Sequence, residues 1–510
     1  MNTVQLVIDA LATFGDHAAE HFQGTEATAE EIVHRSRRLA TVLKEFNVKV
    51  GDRVIVMMPT CPRVPDSFSA IWRIGGVVVP IMPQLIPPEI GYIIEHADAQ
   101  LVITFPQFAA AVAEATHQFP NFRNILVFGE SNVADAVNLL PLLDRAPAEE
   151  TICNRSHDDL AALVYTSGTT GHPKGVMLSH GNLISNTRAV ASIIDAPPGT
   201  VSLVVLPMSH VYGMLLMNLA TVTGGRSILH SKFEPAEILK TIEQHRVERI
   251  SLVPAMMHAL IHCPQRDQYD VSSLKHVRAG AAPLNEKLRS EFDRLFDCRV
   301  SDGYGQSEAT CVVAALPDGK RFVAGSVGPP IPGVEVCVQD EQGNHLPAGN
   351  AGEVCFRGPS IMRGYWKNPE ATEQVIVDGW LHSGDIGHLD ENGYLFITDR
   401  KKDLIIKGGE NISPRQIEEA IHHHPAVMEC SVFGVPDDAF HEEIAAAIVL
   451  QPNTETSTDE IVATVVQHVS KFKQPKYVWF RDTLPKTGTG KTQKHRLKAE
   501  WINAFANSNS

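Results

Sequence analysis

The sequence lacks several features that would narrow its class at once. Its eight cysteines are scattered and include no C-x-x-C pair, so neither a disulfide framework nor a zinc ribbon is indicated, and reduced cytoplasmic thiols are expected. The amino-terminal segment has no basic start and carries Asp9, so we expect no secretory signal. There are 44 basic and 59 acidic residues, and the net charge of −15 argues against nucleic acid as a partner.

Charge is also missing from one long stretch, residues 196–225, which raises the question of a membrane span. Pro207, Ser209, His210 and Asn218 interrupt this stretch, together with several glycines. A spanning helix needs about 20 predominantly apolar residues. We therefore expect a buried strand, a turn and a helix here, and no integral membrane segment.

The length and the pattern of apolar runs predict more than one domain. The chain has 510 residues, too many for one ordinary core. Through its first two-thirds, continuous apolar runs alternate with helical patterns, which predicts buried parallel strands. These runs are residues 53–59, 76–82, 100–105, 162–166, 202–207 and 249–254.

The chain changes character twice towards its end. Residues 325–400 alternate between polar and apolar side chains with Gly and Asn turns, which predicts a more antiparallel region. An exposed basic run, Arg400–Lys402, then precedes Gly408-Gly409, and we predict a domain boundary near 400. Beyond 410 the pattern predicts helix, strand, strand, helix and strand, which make a small α+β unit.

Two segments carry the glycine, hydroxyl and lysine chemistry that holds phosphate: TSGTTGHPKG (166–175) and LPKTGTGKT (484–492). Neither fits the P-loop template, because Pro485 stands where the first glycine is required and Lys174 is not followed by Ser or Thr. Strand-like residues flank the first segment on both sides, so it is predicted to be a loop that joins two strands. Both segments still offer exposed backbone N–H groups, hydroxyls and a lysine to a phosphate.

Two further segments contain residue types that are common in ligand-binding sites. In SDGYGQSEAT (301–310), Tyr304 offers an aromatic face and Glu308 is a hard oxygen ligand suited to Mg²⁺. In WLHSGDIG (380–387), Asp385 could accept hydrogen bonds from sugar hydroxyls. Each of these segments by itself is also compatible with an ordinary turn.

The five motifs together are specific. In this order, the loop with Lys174, then YGQSE, SGD, DRKKD and PKTGTGK, make the chain resemble the adenylate-forming superfamily of acyl-CoA synthetases, peptide-synthetase adenylation domains and beetle luciferases. The resemblance runs from about residue 51 to Lys491. The stretches VYTSGTTGHPKGVMLSH and DRKKDLIIKGGENISPRQIE are most similar to bacterial fatty-acyl-CoA synthetases.

The resemblance implies a fold and a domain organisation. It implies a large α/β N-terminal domain, with stacked sheets, helices and a more antiparallel β region, followed by a small mobile α+β C-terminal domain. The implied bounds are 1–399 for the N-terminal AMP-binding domain, 400–404 for a hinge and 405–510 for the C-terminal domain. Lys402 falls on the hinge position, where many relatives carry Asp.

The resemblance also implies a binding site for ATP. The loop that wraps the phosphates matches Thr166, Ser167, Gly168, Thr169, Thr170, Gly171 and Lys174. The adenine pocket matches Gly280, Ala281, Ala282, Asp302, Gly303 and Tyr304, with Tyr304 stacked on the base. Ser307 matches a phosphate contact, Glu308 matches the Mg²⁺ ligand, aided by Thr169, and Asp385 with Arg400 matches the pair that holds the ribose. Ser383 stands where the motif usually has Thr.

The remaining implied positions concern the acid, the thiol and catalysis. Lys491 matches the catalytic lysine that bridges the attacking carboxylate and the α-phosphate, and Lys174 acts on the leaving pyrophosphate. Gly408 and Gly409 match the channel for the pantetheine arm. The acyl pocket is expected at His210, beside the reacting carboxylate, and at Tyr212, Gly213 and Met214.

The implied function is that of a cytoplasmic, ATP-dependent carboxylate–CoA ligase that uses Mg²⁺ and coenzyme A on a fatty or other apolar acid. An amino-acid substrate is disfavoured, because no Asp or Glu lies between Asp195 and Glu234 to pair with its amine. Transfer of the acyl group to a carrier protein or an amine stays open, as does a luciferase-like oxygenase. A non-catalytic nucleotide-binding protein would be expected to lose Glu308 or Lys491.

Overall fold

The computed structural model describes residues 1–117, 119, 122, 124–166, 173–280, 284–437, 439–487 and 491–505. The chain folds as two compact units. The first unit comprises Met1–Gly280, Glu286–Glu335 and Phe356–Leu381, and the second comprises Ala281–Asn285, Val336–Cys355 and His382–Ser510.

Helices and strands alternate through most of the first unit. The helices are α1 (Gln5–Phe14), α2 (Ala29–Glu45), α3 (Arg63–Arg73), α4 (Pro87–Ala97), α5 (Pro106–Thr116), α6 (Leu140–Arg145), α7 (His180–Ala191), α8 (Val211–Thr223), α9 (Pro235–His245), α10 (Pro254–Ile261), α11 (Glu286–Phe296), α12 (Pro369–Val375), α13 (Pro414–His422), α14 (Thr458–Val465) and α15 (Lys494–Phe505).

The strands from β1 to β15 are β1 (Ala18–Phe22), β2 (Thr25–Thr28), β3 (Arg53–Met57), β4 (Val77–Ile81), β5 (Leu101–Thr104), β6 (Asn124–Val127), β7 (Ala136–Asn138), β8 (Leu160–Thr166), β9 (Lys174–Ser179), β10 (Val201–Val204), β11 (Arg226–Leu229), β12 (Arg249–Leu252), β13 (His276–Ala279), β14 (Arg299–Tyr304) and β15 (Ala314–Ala315). The later strands are β16 (Glu335–Gln339), β17 (Gly352–Arg357), β18 (Ile376–Val377), β19 (Trp380–Leu389), β20 (Leu395–Arg400), β21 (Ile405–Lys407), β22 (Glu410–Ile412), β23 (Val427–Asp437), β24 (His441–Leu450) and β25 (Tyr477–Phe480).

The first unit is built on two large sheets. One has the order β7-β6-β5-β3-β4-β8-β9 and the other β15-β14-β13-β12-β10-β11-β1-β2. The apolar runs of the sequence form β3, β4, β5, β8, β10 and β12, and each of them has at least one parallel neighbour. The prediction of buried parallel strands is therefore confirmed. Such strands are apolar on both faces because helices cover both sides of the sheet.

The charge-free stretch folds as a strand and a helix. It supplies β10 and α8, and the αL residue Gly224 caps the carboxyl end of the helix. The prediction of a buried strand, a turn and a helix is confirmed. None of the helices in the described ranges is long and apolar enough to cross a membrane.

The smaller sheets agree with the predicted change of character. The third sheet has the order β16-β17-β19-β18, with β20 paired to β19, and β19 is antiparallel to both β18 and β20. The fourth sheet has the order β22-β21-β24-β23, with β25 parallel to β24. The fold is thus a large α/β part with mixed sheets, followed by a smaller α+β part, as the sequence predicted.

The fourth sheet is covered on both faces. Val432, Ile444 and Ala446 pack towards α13 and α14, whereas their neighbours Phe433 and Ala445 pack towards α15. The predicted order of helix, strand, strand, helix and strand matches α13 to β25. Helix α15 was missed, although Leu497 and Trp501, four residues apart, are its two most buried apolar side chains.

A buried ion cluster joins three elements of the first unit. Arg35 on α2 lies with its Nη2 2.8 Å from Glu20 Oε1 on β1 and with its Nε 2.9 Å from Asp66 Oδ2 on α3. Asp66 is 1% exposed and Glu20 is 6% exposed. Burial raises the pKa of both carboxyls, and the charge of Arg35 opposes this shift. Arg35 therefore opposes the protonation of two buried carboxyl groups.

We expect Arg35→Met to lower the free energy of unfolding by about 3 to 5 kcal/mol near pH 8, because it leaves two buried carboxylates without their main cation. The carboxyl pKa values would rise further above their unfolded values, so the folded variant would bind extra protons and its deficit should shrink as the pH falls towards about 5. Urea unfolding at several pH values measures this.

Arg37→Met on the same helix is the matched control. The partner of Arg37, Glu150, is 66% exposed, so this pair should contribute about 1 kcal/mol or less at every pH. Equal losses in the two variants, or a deficit of Arg35→Met that does not change with pH, would contradict the role given to the cluster.

Candidate active site

The first phosphate-like segment joins two antiparallel strands, as predicted. Strands β8 and β9 pair so that Thr166 lies opposite Lys174. At the base of the loop, the hydroxyl of Tyr92 donates to the carbonyl of Pro173 at 3.0 Å. The predicted loop residues Ser167, Gly168, Thr169, Thr170 and Gly171 lie outside the described residues.

A neighbouring segment runs along β9 and brings an aromatic side chain to this loop. The backbone N–H of Trp366 donates to the carbonyl of Gly175 at 2.7 Å, and the N–H of Met177 donates to the carbonyl of Gly364 at 2.9 Å. Tyr365 lies between these two contacts and bridges to Val176. The backbone pairing therefore fixes the position of the Tyr365 side chain.

Tyr365 contacts both Lys174 and Glu308. Its hydroxyl donates to Glu308 Oε1 at 2.9 Å, and Lys174 Nζ lies 4.8 Å from the centre of its ring. Burial and the nearby Glu308 carboxylate raise the pKa of Tyr365, so the phenol stays protonated and remains a donor. The structure thus brings two predicted site residues together around a tyrosine that the sequence reasoning missed. The aromatic pair in GYWKNP (364–369) was the available signal.

Backbone contacts hold Glu308 in place. It lies in a short 3-10 helix, Ser307–Ala309, and its carbonyl accepts from the N–H of Met362 at 2.8 Å. Just before this helix, a Cβ on Gly305 would lie 1.7 Å from the carbonyl oxygen of Cys311, so only glycine fits. Ser307 is buried.

The predicted adenine-pocket residues come from the ends of neighbouring parallel strands. Strands β13 and β14 pair so that Ala279 lies opposite Asp302, which places Gly280 beside the segment Asp302–Tyr304. The Tyr304 ring meets Phe356 edge to face, with 5.9 Å between the ring centres. Ala281 and Ala282 lie outside the described residues.

The predicted acyl-pocket residues open helix α8. His210 is its N-cap, and His210 Nδ1 accepts from the N–H of Tyr212 at 3.2 Å. Gly213 allows the helix to approach the preceding turn, because a Cβ there would lie 2.2 Å from the carbonyl oxygen of Pro207. Met214 is buried.

In the second unit, the structure pairs the two residues predicted to hold ribose. Asp385 on β19 lies opposite Arg400 on β20, and Arg400 Nε is 3.0 Å from Asp385 Oδ1. The Ser383 hydroxyl accepts from the N–H of Asp385 at 3.0 Å. Ser383 thus positions the backbone of Asp385, and this contact needs only a hydroxyl. The next residues form a 3-10 helix, Lys401–Asp403, and burial lowers the pKa of Lys402.

Gly408 and Gly409 form the turn between β21 and β22, with φ angles of 59° and 86°. Two exposed aromatic side chains flank this turn. A Cβ on Gly408 would lie 3.4 Å from Phe440 and 3.7 Å from Phe472, and between these rings Lys407 Nζ pairs with Glu443. The sequence reasoning missed both aromatic residues.

The described residues at the two ends of the second phosphate-like segment pair with each other, whereas residues 488–490 lie outside the described residues. Lys486 bridges antiparallel to Thr492, and the N–H of Lys491 donates to the hydroxyl of Thr487 at 3.1 Å. This antiparallel geometry differs from a P-loop, in which a strand leads directly into a helix. Lys491 therefore lies beside Thr487 in the second unit.

Comparisons with known proteins agree with these motifs. A family model described as "AMP-binding enzyme" matches residues 8–366, and one described as "AMP-binding enzyme C-terminal domain" matches residues 416–491. The chain is 34% identical to a long-chain-fatty-acid–CoA ligase of Bacillus subtilis, over 98% of this chain and 94% of the relative. It is 36% identical to a feruloyl-CoA synthase of an Amycolatopsis species, over 96% of both.

Among solved structures, the chain is similar to ATP-bound MatB from Rhodopseudomonas palustris, with a TM-score of 0.91 and 31% sequence identity. The match covers 99% of this chain and 100% of the MatB chain. The similarity extends over the residues matched by both family models and the residues between them. It therefore includes the motifs from the loop at Lys174 to Lys491. The chain therefore belongs to the AMP-binding, adenylate-forming family of enzymes.

Proposed function

We propose that this enzyme is an ATP-dependent carboxylate–CoA ligase. It activates an apolar carboxylic acid as acyl-AMP with release of pyrophosphate, and it then transfers the acyl group to coenzyme A. The observation that carries the proposal is the grouping of Lys174, Tyr365 and Glu308 beside the loop between β8 and β9. The names of the relatives, a fatty-acid–CoA ligase and a feruloyl-CoA synthase, support a carboxylic acid and coenzyme A as substrates.

The chemistry explains why cations surround the nucleotide. A carboxylate oxygen attacks the α-phosphorus of ATP, and the bond to the β-phosphate oxygen breaks as pyrophosphate leaves. Because the attacking and leaving groups are both anionic, the reaction needs positive charge more than it needs proton transfer. Lys174 would act on the pyrophosphate and Lys491 on the carboxylate and the α-phosphate. The thiol of coenzyme A then displaces AMP from the acyl carbon.

Glu308 fits the role of a Mg²⁺ ligand. Within the described ranges, no group of three or more His, Cys, Asp or Glu side chains could hold a metal ion. Mg²⁺ is commonly held by one or two carboxylates together with substrate phosphates and water, and when bound it would neutralise phosphate charge. The Tyr365 hydroxyl orients the carboxylate for this task.

The second unit supports coenzyme A as the acceptor. The turn at Gly408-Gly409 leaves room beside the chain, and the exposed rings of Phe440 and Phe472 offer apolar surface there. We also propose the domain bounds of 1–399, 400–404 and 405–510 and a cytoplasmic location, which the eight free thiols support.

The experiment that tests the proposed function is a pyrophosphate-release screen over carboxylic acids, run with and without coenzyme A. We expect release with simple aliphatic or aromatic acids and thioester formation only when coenzyme A is present. Free α-amino acids should be poor substrates, because a buried ammonium would find no carboxylate between residues 196 and 233. Amino acids that outperform simple acids would contradict the substrate class, and adenylation without thioester formation would indicate another acceptor.

Glu308→Gln should slow pyrophosphate release by about a hundredfold or more, because a neutral amide is a weak ligand for Mg²⁺. Tyr365→Phe should slow it by about tenfold, since it removes one hydrogen bond to a carboxylate. Rates measured across a Mg²⁺ titration should show a raised Mg²⁺ requirement in both variants.

Glu335→Gln is the control for these two variants, because Glu335 is a surface residue, 62% exposed, that pairs with Arg357. Its rate and its Mg²⁺ requirement should match those of the wild type. Near-normal release by Glu308→Gln at low Mg²⁺ would remove Glu308 from the metal role.

The two half-reactions should be separable by mutation, because adenylation needs Lys491 whereas thioester formation needs the turn at Gly408-Gly409. We propose that the small domain reorients about Lys402 between them. Lys491→Ala should slow adenylation severely and leave thioester formation from supplied acyl-AMP largely intact. Lys402→Pro, which locks φ, should do the reverse. Single-turnover pyrophosphate release and thioester formation from synthetic acyl-AMP measure the two steps.

Two matched variants serve as controls. Lys486→Ala changes a lysine of the same segment whose ammonium pairs with Glu429 at 2.7 Å, and it should spare adenylation. Lys402→Ala removes the same side chain as Lys402→Pro but leaves φ free, and it should retain both half-reactions. If folded Lys491→Ala and Lys402→Pro lose both half-reactions in equal proportion, the reorientation account is wrong.

A further inference from the structure

A cavity lies between helix α8 and one face of the eight-stranded sheet in the first unit. Helix α8 supplies an apolar wall that includes Leu215, Leu216 and Leu219. The sheet supplies a polar floor that includes Ser251 and Arg278. An apolar enclosure with a few polar groups is the usual form of a small-molecule site.

Tyr212 connects this cavity to the predicted reaction centre. Tyr212 lines the cavity, and its backbone N–H donates to the imidazole of His210, the residue expected beside the reacting carboxylate. Its ring packs against Gly280, where a Cβ would lie 2.7 Å away. Its hydroxyl hydrogen-bonds to Ser251 on the floor. The cavity therefore extends from the residues that open α8 along the helix.

The polar side of the cavity has more positive than negative charge. Arg249, Arg278 and His276 line it together with one acidic residue, Asp318. Arg249 Nη2 lies 2.7 Å from Asp318 Oδ2, which also accepts from the N–H of Asp195 at 2.9 Å. Asp318 therefore pairs mainly with Arg249. The facing helix cannot supply a second carboxylate, because no Asp or Glu occurs from 196 to 233.

Arg278 is the less completely paired of the two arginines. Its Nη2 lies 3.4 Å from Asp318 Oδ1 and 3.5 Å from the carbonyl oxygen of Leu316, both long for hydrogen bonds. Its Nη1 is buried and has no hydrogen-bond partner among the described residues. The Arg278 side chain as a whole is only 14% exposed. A buried guanidinium with an unused donor is costly unless an acceptor reaches it.

We propose, resting on the proposed function, that this cavity receives the tail of the acid substrate and that Arg278 donates to an oxygen group on that tail. The enzyme then prefers acids with a carboxylate or a hydroxyl remote from the reacting carboxyl over acids with a plain hydrocarbon tail. Helix α8 contacts the apolar middle of the tail. A site built to hydrogen-bond an oxygen rejects the analogue that lacks it more strongly than an apolar pocket rejects a missing methylene.

The test compares matched acids by the kcat/KM of pyrophosphate release. The pairs are octanoate with octanedioate and with omega-hydroxyoctanoate, the corresponding sets of shorter and longer chains, and cinnamate with its para-hydroxy form. For the chain length that fits, we expect the wild type to prefer an oxygenated acid by about tenfold or more. A larger preference for the dicarboxylate indicates recognition of charge, and one for the hydroxy acid indicates a neutral acceptor.

Arg278→Met should remove this preference, so that the ratio of kcat/KM between matched oxygenated and plain acids falls to about one. Arg299→Met is the matched control, because Arg299 lies on the neighbouring strand β14 but does not line the cavity. Arg249 still pairs with Asp318 in Arg278→Met, so this variant should fold, which its thermal unfolding checks. If it does not, Arg278→Lys replaces it, and the shorter reach of Lys should reduce the preference several-fold.

The outcomes separate the two proposals. If no acid in the panel supports pyrophosphate release, the proposed function fails. If acids are activated but oxygenated tails bring no advantage, or if the advantage is the same in the Arg278 variants as in the wild type, the tail proposal fails while the function stands. Loss of the preference in Arg278→Met and its retention in Arg299→Met would support it.

Discussion

Parallel hydrogen bonding between β12, β13 and β14 is the constraint on which the nucleotide site of the first unit depends. Parallel strands all end at the same edge of a sheet, so the segments that follow them meet there. The register of Ala279 opposite Asp302 therefore brings Gly280 to the segment Asp302–Tyr304, although more than twenty residues separate them in sequence. On one face of these strands Ile250, Val277 and Val300 are buried, whereas the other face carries Ser251, Arg278 and Ser301 towards the cavity under α8.

A second layer of backbone pairing builds the phosphate side of the site. The segment around Tyr365 pairs with β9, so the strand that begins with Lys174 also carries the tyrosine that holds Glu308. Lys174 is thereby placed over the ring of Tyr365 and Glu308 on its hydroxyl. An amine and a carboxylate so close together suit a site that must bind both phosphate and a metal ion.

The apolar helix α8 has two tasks that follow from its composition. Its first turn presents His210 and Tyr212, and the rest of the helix lines a cavity whose polar side includes Arg278. The absence of acidic residues in this part of the chain disfavours an amine on the substrate and at the same time leaves Arg278 without a second carboxylate. The lack of acidic residues in this part of the chain thus affects the recognition of the acid substrate both near its carboxyl group and along its tail.

The sequence by itself determined the fold class, the buried parallel strands, the loop between β8 and β9 and the family, because apolar periodicity and short motifs are local properties of the chain. It also proposed Glu308, Lys174, Asp385 and Arg400 as site residues. It missed Tyr365, Phe440 and Phe472, and it gave Arg278 no role. These residues acquire their roles only through partners far away in sequence, such as Glu308 for Tyr365 and Asp318 for Arg278. Strand register and helix packing decide such contacts, and no local pattern of residues encodes them.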